Sequence, residues 1–447
     1  MKAVVVGGGF AGLAAGYRLK KAGWDVTLLE QNAAVGGRVN TTRQDGYLTE
    51  NGATQISTGY HAYLALAADV GLRSEIIECS NVIGLLRNGK VYEIDSTRPI
   101  LAAFSGALSL ASKFRMGRAI ADLLRLKPAM NVLDVSAHHA YDIESAKDYC
   151  DRRLTREIYN VLVDASLRCY VLNRAEHVSV IEWYSFLRNL AGQKMLTMRG
   201  GLQRLPIAIA ETLDVRLNSP ATLVRSYGQG VVVEYSDAGG KSFTMQADAC
   251  VIATLLPDVA ALAPSLAYAV APLAQRLTYN RAAVVHLGYR KRTTSKVIGV
   301  LVGTAEHAQI GLLWLEHNKL AESAPEGHSL FSVYFETAGL DSIAPVDDER
   351  LIVIGRQFVE KLFAEVAGCL DLQRVTRWQR AIANPAPGVY RAVHEMKSRL
   401  DPTSRIQLAG DYLTCTGQNS AAHWGAIAAD NLIRAVTKGA SRGALAA

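Results

Sequence analysis

The chain has 447 residues, 49% of them apolar and 20% charged, with a formal net charge of +7. That length exceeds one simple core, predicts two domains or one composite, and suffices to bury roughly three quarters of the unfolded surface. The basic residues are scattered apart from Arg290-Lys291-Arg292, which reads as a solvated turn, so a nucleic-acid partner is not suggested. Six cysteines at 79, 150, 169, 250, 369 and 415 include no C-x-x-C pair. That pattern argues against a zinc site or a disulfide scaffold, and fits a reducing, cytoplasmic compartment. The first residues enter a core strand directly, which leaves no room for a signal peptide, and no apolar run reaches the roughly 18 residues of a membrane span.

Residues 2–6 read as a buried strand, followed by Gly7, Gly9 and Gly12 in G-x-G-x-x-G spacing, with Gly16 one turn later. A helix is predicted to about residue 22, then a strand over 24–29 that ends on the acid Glu30 and Gln31. Gly7 permits a tight turn, Gly9 lets the backbone approach a pyrophosphate, and Gly12 lets the helix pack on the sheet. The helix start at Phe10 and Ala11 offers free N–H groups to an anion, and Glu30 can accept from a ribose hydroxyl. A lone glycine motif is weak; strand, helix, strand and acid in this order make it a dinucleotide fingerprint that does not separate NAD from FAD.

Val35-Gly36-Gly37-Arg38-Val39 forms a second glycine loop in which Arg38 can neutralise a diphosphate. This segment resembles the G-G-R motif of the FAD-dependent amine oxidase superfamily, which contains monoamine oxidases, protoporphyrinogen oxidases and phytoene desaturases. Gly46-Tyr47-Leu48 and Glu50-Asn51-Gly52-Ala53, with Thr54 following, resemble its strand pair beside the flavin. A helix is predicted over 61–71, and a hairpin over 82–94 turns at Asn88-Gly89, a type I′ signal. Residues 99–130 are apolar with interspersed bases (Lys113, Arg115, Arg118, Arg125, Lys127) and one acid, Asp122. They read either as helices at an apolar entrance or on an anionic membrane surface, or as ordinary amphipathic helices covering the substrate domain. More helices are predicted over 131–190. His138 and His139 point apart on any helix, which argues against a shared metal, and Tyr170, Trp183, Tyr184 and Phe186 line a pocket or fill a core.

Gly200-Gly201-Leu202-Gln203-Arg204-Leu205-Pro206 resembles the superfamily's G-G-x-x-x-L-P segment and opens a helix to about residue 213. Strands are predicted over 221–226 and 231–235, then a glycine turn at Gly239-Gly240. The resemblance implies that the first of these strands passes the adenine, with Ala221, Thr222 and Val224 supplying contacts. The strand at 248–254 matches the D-x-V-I-x-A-T signature, placing Ala253 and Thr254 near the dinucleotide and Cys250 in the core. Further strands are expected near 282–289, 297–302, 310–316 and 329–336, and a helix over 348–367. The stretch from Trp378 to Gly388 resembles a segment of protoporphyrinogen oxidases and desaturases. The Ala409-Gly410-Asp411-Tyr412 segment resembles the family's final cofactor strand, with Asp411 toward the ribityl or pyrophosphate edge. A last helix, capped near Gln418, Asn419 and Ser420 and running to about 436, would face the flavin with its N-terminus.

The predicted fold class is α/β: a Rossmann-type FAD-binding domain plus an α+β substrate domain with a mixed sheet and a helical insertion. This is the two-domain architecture of amine oxidases and p-hydroxybenzoate hydroxylase. The FAD-binding part is expected from 1–75, 198–275 and 395–440, and the substrate part from 76–197 and 276–394. Its helical subdomain would occupy 99–195, and 441–447 would be a flexible tail. The implied cofactor is non-covalent FAD, since Cys415 does not match the usual attachment cysteine; no metal is implied. His286, His394 and His423 are candidate proton handlers, with His423 and Trp424 the candidate catalytic pair. Amine oxidases of the monoamine type carry a flavin-facing aromatic that falls at Ala422 here, and a lysine that falls within Ala283-Val284-Val285. Their absence weighs against an amine, and the 378–388 stretch favours a bulky hydrophobic small-molecule substrate oxidised at a C–C or C–N bond, with oxygen or another electron acceptor. An amine or amino-acid oxidase, a flavin-dependent isomerase and a flavin-binding scaffold are the alternatives. A monomer or homodimer is expected, cytoplasmic, with peripheral membrane contact as an option.

Overall fold

Strand Lys2–Val6 is the centre of a five-stranded parallel sheet in the computed structural model, which describes residues 1–98, 105–126, 131–190, 192–343, 345–414 and 416–444. Its neighbours are Asp25–Leu29 on one side and Ala249–Ile252 on the other, with Asp214–Arg216 and Ile406–Leu408 outside them. Both faces are covered, so the strands read as continuous apolar runs. Helix Phe10–Lys21 crosses over one face and packs against the last helix, Gln418–Ala444. The approach is close: a Cβ on Gly425 would sit 2.2 Å from the Ala11 carbonyl oxygen. That helix continues to Ala444, four residues into the expected tail.

Seven strands form the second sheet, in the order Leu370–Ala383, Tyr279–Tyr289, Ser329–Glu336, Ile310–Leu315, Gly299–Leu301, Val82–Arg87, Lys90–Asp95. It is mixed, because Gly299–Leu301 and Val82–Arg87 run parallel while the other pairs are antiparallel. Side chains alternate faces along each strand. One set (Ala283, Val285, Leu313, Val333) packs under helix Asp348–Leu362. The opposite set (Ala282, Val284, Leu312, Trp314, Tyr334) packs toward the helical insertion. In the insertion, helices Ala146–Arg153 and Val180–Leu190 flank a continuous run from Arg156 to Tyr170 that widens into a π turn over Tyr159–Val163. The fold class is therefore α/β with a mixed second sheet and a helical insertion, as expected.

Several elements differ from expectation. Strand Ser242–Ala247 completes a three-stranded sheet with Ala221–Tyr227 and Gly230–Ser236, where only a glycine turn was predicted. Leu370–Ala383 is a 14-residue edge strand carrying Arg374, Arg377 and Arg380, a composition that blunts an open edge. The helix predicted over 348–367 stops at Leu362 and continues as a 3₁₀ turn, Ala364–Val366. The Asn88-Gly89 turn has both φ values positive, 51° and 71°, as type I′ requires. Of the basic apolar stretch 99–130, helix Leu110–Leu126 is described; residues 99–104 and 127–130, like Cys415 and 445–447, lie outside the described residues. No single helix among the described residues is long and apolar enough to cross a membrane.

Candidate active site

Strand Lys2–Val6 delivers the chain to a turn at Gly7, whose φ of 107° places it in the left-handed half of conformational space. A Cβ on Gly12 would lie 2.0 Å from the Gly7 carbonyl oxygen, so only glycine lets the helix start this close to the turn. A Cβ on Gly9 would meet nothing within 4 Å. That open space is one end of a cavity of about 1040 Å³. Helix Phe10–Lys21 begins there without a side-chain cap, so its first N–H groups are left for a ligand.

Glu30 lies at the end of strand Asp25–Leu29 and is 5% exposed. Its Oε2 accepts the Gly8 N–H at 2.6 Å, and its Oε1 accepts the Asn32 N–H at 2.8 Å and the Asn32 Nδ2 at 2.6 Å. A carboxylate offers about four acceptor sites, so capacity remains for a ribose hydroxyl. Gly37 approaches Gly9, a Cβ there coming within 3.3 Å of the Gly9 Cα. Arg38 then reaches across the cavity. Its Nη2 donates to Asp411 Oδ1 at 2.8 Å and its Nη1 to the Ala381 carbonyl at 3.1 Å. Gln418, the first residue of the last helix, is 6% exposed and lines the cavity, yet its Oε1 has no hydrogen-bond partner. An uncapped helix N-terminus, an open glycine turn, a carboxylate with spare lone pairs and an orphaned buried amide oxygen together fit a bound dinucleotide.

The expected cofactor residues fall into two groups. Gly7, Gly9, Phe10, Ala11, Glu30, Gln31, Gly36, Gly37, Arg38, Gly52, Ala53 and Thr54 line the one cavity, as do Ala221, Thr222, Ala253, Thr254, Trp378, Gly410, Asp411 and Gln418. Gly12 sits behind the turn and serves packing. Val224 does not line the cavity; it is fully buried in the core beneath the three-stranded sheet. Asn419 turns away as well, its Oδ1 accepting from the Ala62 N–H at 2.9 Å and capping a neighbouring helix. Ser420 is buried off the cavity.

The catalytic pair requires correction. His423 and Trp424 do not line the cavity. His423 comes two residues after the cavity-lining Ala421, about 200° round the helix. Trp424 donates its Nε1 proton to the Leu133 carbonyl at 3.1 Å and carries Lys397 Nζ 3.9 Å above its ring, so it ties the last helix to its surroundings. His394 stacks on His139 with centroids 3.8 Å apart. His138 accepts from the Asn131 N–H, and no group of three metal-binding side chains occurs among the described residues. His286 is fully buried with its Nδ1 against Ser332 Oγ at 2.9 Å; burial lowers its pKa to about 3, so it is neutral.

The cavity continues between the seven-stranded sheet and the helical insertion. Ala282, Val284, Leu312, Trp314 and Tyr334 form its floor, and Cys169, Tyr170, Leu172, Phe186, Asn189, Gln193 and Met195 its roof. Tyr170 and Phe186 thus face the cavity, while Trp183 and Tyr184 are core. Burial pushes the Cys169 thiol up to about 12, so it is a wall group and not a nucleophile. Among the described residues the charged groups lining the cavity are Glu30, Arg38, Asp258, Arg380 and Asp411. Arg38 pairs with Asp411, and Arg380 pairs with Asp258 at 3.1 Å where both are about half exposed, 49% and 45%. Among the described residues, the space between sheet and helices therefore has no ionised wall residue. The sequence offered Tyr170 and Phe186 as pocket or core residues but gave no floor; the alternation of 282 with 284 and of 312 with 314 was the available signal for it.

A family model described as flavin containing amine oxidoreductase matches residues 10–433. The coproporphyrinogen III oxidase of Bacillus subtilis is 22% identical over 443 residues, covering 89% of this chain and 90% of that protein. The protoporphyrinogen oxidase 2 of Arabidopsis thaliana is 32% identical over 167 residues; there the match spans only 36% of this chain and 31% of that protein. Among solved structures, cyclohexylamine oxidase from Brevibacterium oxydans aligns with a TM-score of 0.77 at 16% identity, over 98% of this chain and 99% of the other, a likeness of fold alone.

Proposed function

The chain belongs to the flavin containing amine oxidoreductase family, and from that premise we propose that it oxidises a bulky, uncharged, hydrophobic molecule at a C–C or C–N bond. It is an FAD-dependent oxidoreductase acting on a small-molecule substrate with an electron acceptor, for which oxygen is the candidate. Bound FAD supplies the reaction by accepting a hydride from a substrate C–H. The chain's own residues bind, orient and exclude water. The N–H groups at Phe10 and Ala11 together with Arg38 would hold the diphosphate, Glu30 the ribose, and Ala221 and Thr222, with Ser219 beside them on the cavity wall, the adenosine end. The amide of Gln418 and the N-terminus of the last helix would meet the polar edge of the flavin ring.

The observation that carries the substrate class is the neutrality of the wall between sheet and helices. Tyr170, Phe186, Trp314, Tyr334 and Leu312 offer apolar surface and aromatic faces there. Asn189 donates to the Tyr170 hydroxyl at 3.1 Å, so these two polar groups hydrogen-bond each other. A substrate carboxylate in this space meets no guanidinium or ammonium among the described residues, and an unpaired buried charge costs several kcal/mol. An ammonium has no carboxylate, although aromatic faces can hold a cation.

The test is anaerobic reduction of the holoenzyme's flavin, followed by its visible absorbance. We compare a porphyrinogen bearing free carboxylates, its uncharged ester, and the amines putrescine and cyclohexylamine. The ester should bleach the flavin at least 100-fold faster than the free acid, the factor that about 3 kcal/mol of unpaired charge implies. Faster bleaching by either amine would overturn the neutral-substrate reading and install an amine oxidase in its place. Conversion of the ester by prereduced enzyme without bleaching would make the protein an isomerase.

A further inference from the structure

Helix Leu110–Leu126 faces the protein with Ser112, Met116 and Ala119, all buried. Its opposite side carries Leu110, Phe114, Gly117, Ala121 and Leu124, which fall within about 80° of arc at roughly 100° per residue. These are not buried: Leu110 is 83% exposed, Phe114 87% and Leu124 55%. A helix that merely covers a core turns its apolar stripe inward. This one turns a second stripe outward, and Phe114 and Leu110 are the two most exposed large apolar side chains among the described residues.

Cations flank the stripe. Arg118 and Arg125 lie along one side, with Arg115 beyond them. With Gly117, Ala121, Asp122 and Arg153 they rim a shallow depression of about 620 Å³. The helix's one acid, Asp122, is shared: it accepts from Arg153 at 2.8 Å and from the Tyr149 hydroxyl at 2.8 Å, and it lies 3.7 Å from the Arg125 guanidinium. Among the described residues the outward face therefore presents apolar groups and an excess of positive charge, with Asp122 the one carboxylate set against Arg115, Arg118, Arg125 and Arg153.

We propose that this face docks on an anionic lipid surface, with Leu110, Phe114 and Leu124 entering the acyl boundary and Arg115, Arg118 and Arg125 meeting headgroup phosphates. The charge pattern selects the lipid. A second copy paired about a two-fold axis would bring the same arginines together with only Asp122, already shared with Arg153 and Tyr149, to offset them. A convex stripe of separate side chains with a basic flank suits a plane of mobile headgroups.

The experiment is co-sedimentation of the holoenzyme with vesicles of phosphatidylcholine alone and of phosphatidylcholine mixed with phosphatidylglycerol. Binding is expected to the mixed vesicles at low salt, little to phosphatidylcholine, and release at high salt. Each arginine near an anionic surface is worth about fivefold, so Arg115→Ala with Arg118→Ala should weaken binding about 30-fold. Leu110→Ser with Phe114→Ser should weaken it more than tenfold. Flavin content and the urea midpoint of each variant report that it folds. Failure of the wild type to sediment with phosphatidylglycerol, or equal sedimentation of wild type and both variants, refutes the proposal. So does a dimer in ultracentrifugation that the two serine substitutions dissolve, because the face then pairs copies.

Discussion

Replacing Glu30 by glutamine preserves the shape of the side chain and tests whether its charge organises the glycine turn. Three N–H donors converge on the carboxylate: Gly8 at 2.6 Å on one oxygen, and the Asn32 backbone and side chain at 2.8 and 2.6 Å on the other. An amide has one acceptor oxygen and an NH₂ group. Whichever way it is placed, at least one buried N–H faces another N–H. Hydrogen bonds to a charged group contribute about 1.5–3 kcal/mol, and an unsatisfied buried N–H costs about 1–3 kcal/mol. If the oxygen stays with Asn32, the Gly8 N–H is the orphan, and the turn that leads to Gly9 moves. A loss of about 1.5–3 kcal/mol expressed at the ligand is a 10- to 150-fold rise in the FAD dissociation constant. The assay is FAD titration of stripped protein by flavin fluorescence quenching, with urea unfolding of the stripped protein alongside. The apoprotein should lose about 1–3 kcal/mol of stability from the same orphan. A Glu30→Gln protein that binds FAD within threefold of wild type and unfolds at the same urea concentration refutes the argument.

His423→Asn and Trp424→Phe should leave the rate of flavin reduction by substrate within a factor of two, because neither side chain lines the cavity. Loss of reduction without loss of bound flavin would return them to the reacting centre. Glu50 gives a pH signature. Burial raises its pKa to about 7 from 4.5, although the Leu202 N–H and the Thr41 hydroxyl bond it. The folded chain thus holds a proton that the unfolded chain releases, so Glu50's contribution to stability falls as pH rises from about 4.5 to 7. Between pH 5 and 7 the wild type should lose about 2 kcal/mol relative to Glu50→Gln in urea melts. A pH-independent difference would show that Glu50 titrates as an exposed acid does.

The dinucleotide end was legible because contact between backbone and ligand leaves traces in residue type. Gly7 and Gly12 cannot be anything larger, and Glu30 must be an acid at a strand end, so their spacing survives as a motif. The floor and roof of the inner cavity leave no such trace. Ala282, Leu312 and Tyr334 come together only through antiparallel register, Ala282 beside Glu336, and Leu312 beside Tyr334. Each alone is an ordinary strand residue. His423 was misread for a related reason: a helix phase error of two residues moves a side chain to the far side, and sequence alone did not fix the phase. Asn419 shows the same effect, a good capping residue that caps a different helix. Strand Ser242–Ala247 went unseen because its partly buried residues, Phe243, Met245 and Ala247, alternate with exposed polar ones beside a glycine turn.

Neutrality of the inner wall is a property of what lies behind it. Lys319 and Glu316 form a buried ion pair at 2.7 Å, the ammonium lying 4.9 Å from the ring of Trp314, a cavity-floor residue. Both side chains are almost fully buried, at 2% and 4% exposed. On the same sheet face, Trp314 lies opposite Ser332, and Ser332 opposite His286, which is held neutral. Charged and titratable groups thus stand just outside the pocket, but each is paired, protonated or uncharged, and Trp314 and Tyr334 screen them from the substrate space. An ion pair buried this way adds little net stability over an apolar pair of the same size. Its consequence is that the aromatic floor has to stay closed: a smaller residue at 314 would open the cavity onto the Lys319–Glu316 ion pair and put charge into a wall that is now neutral.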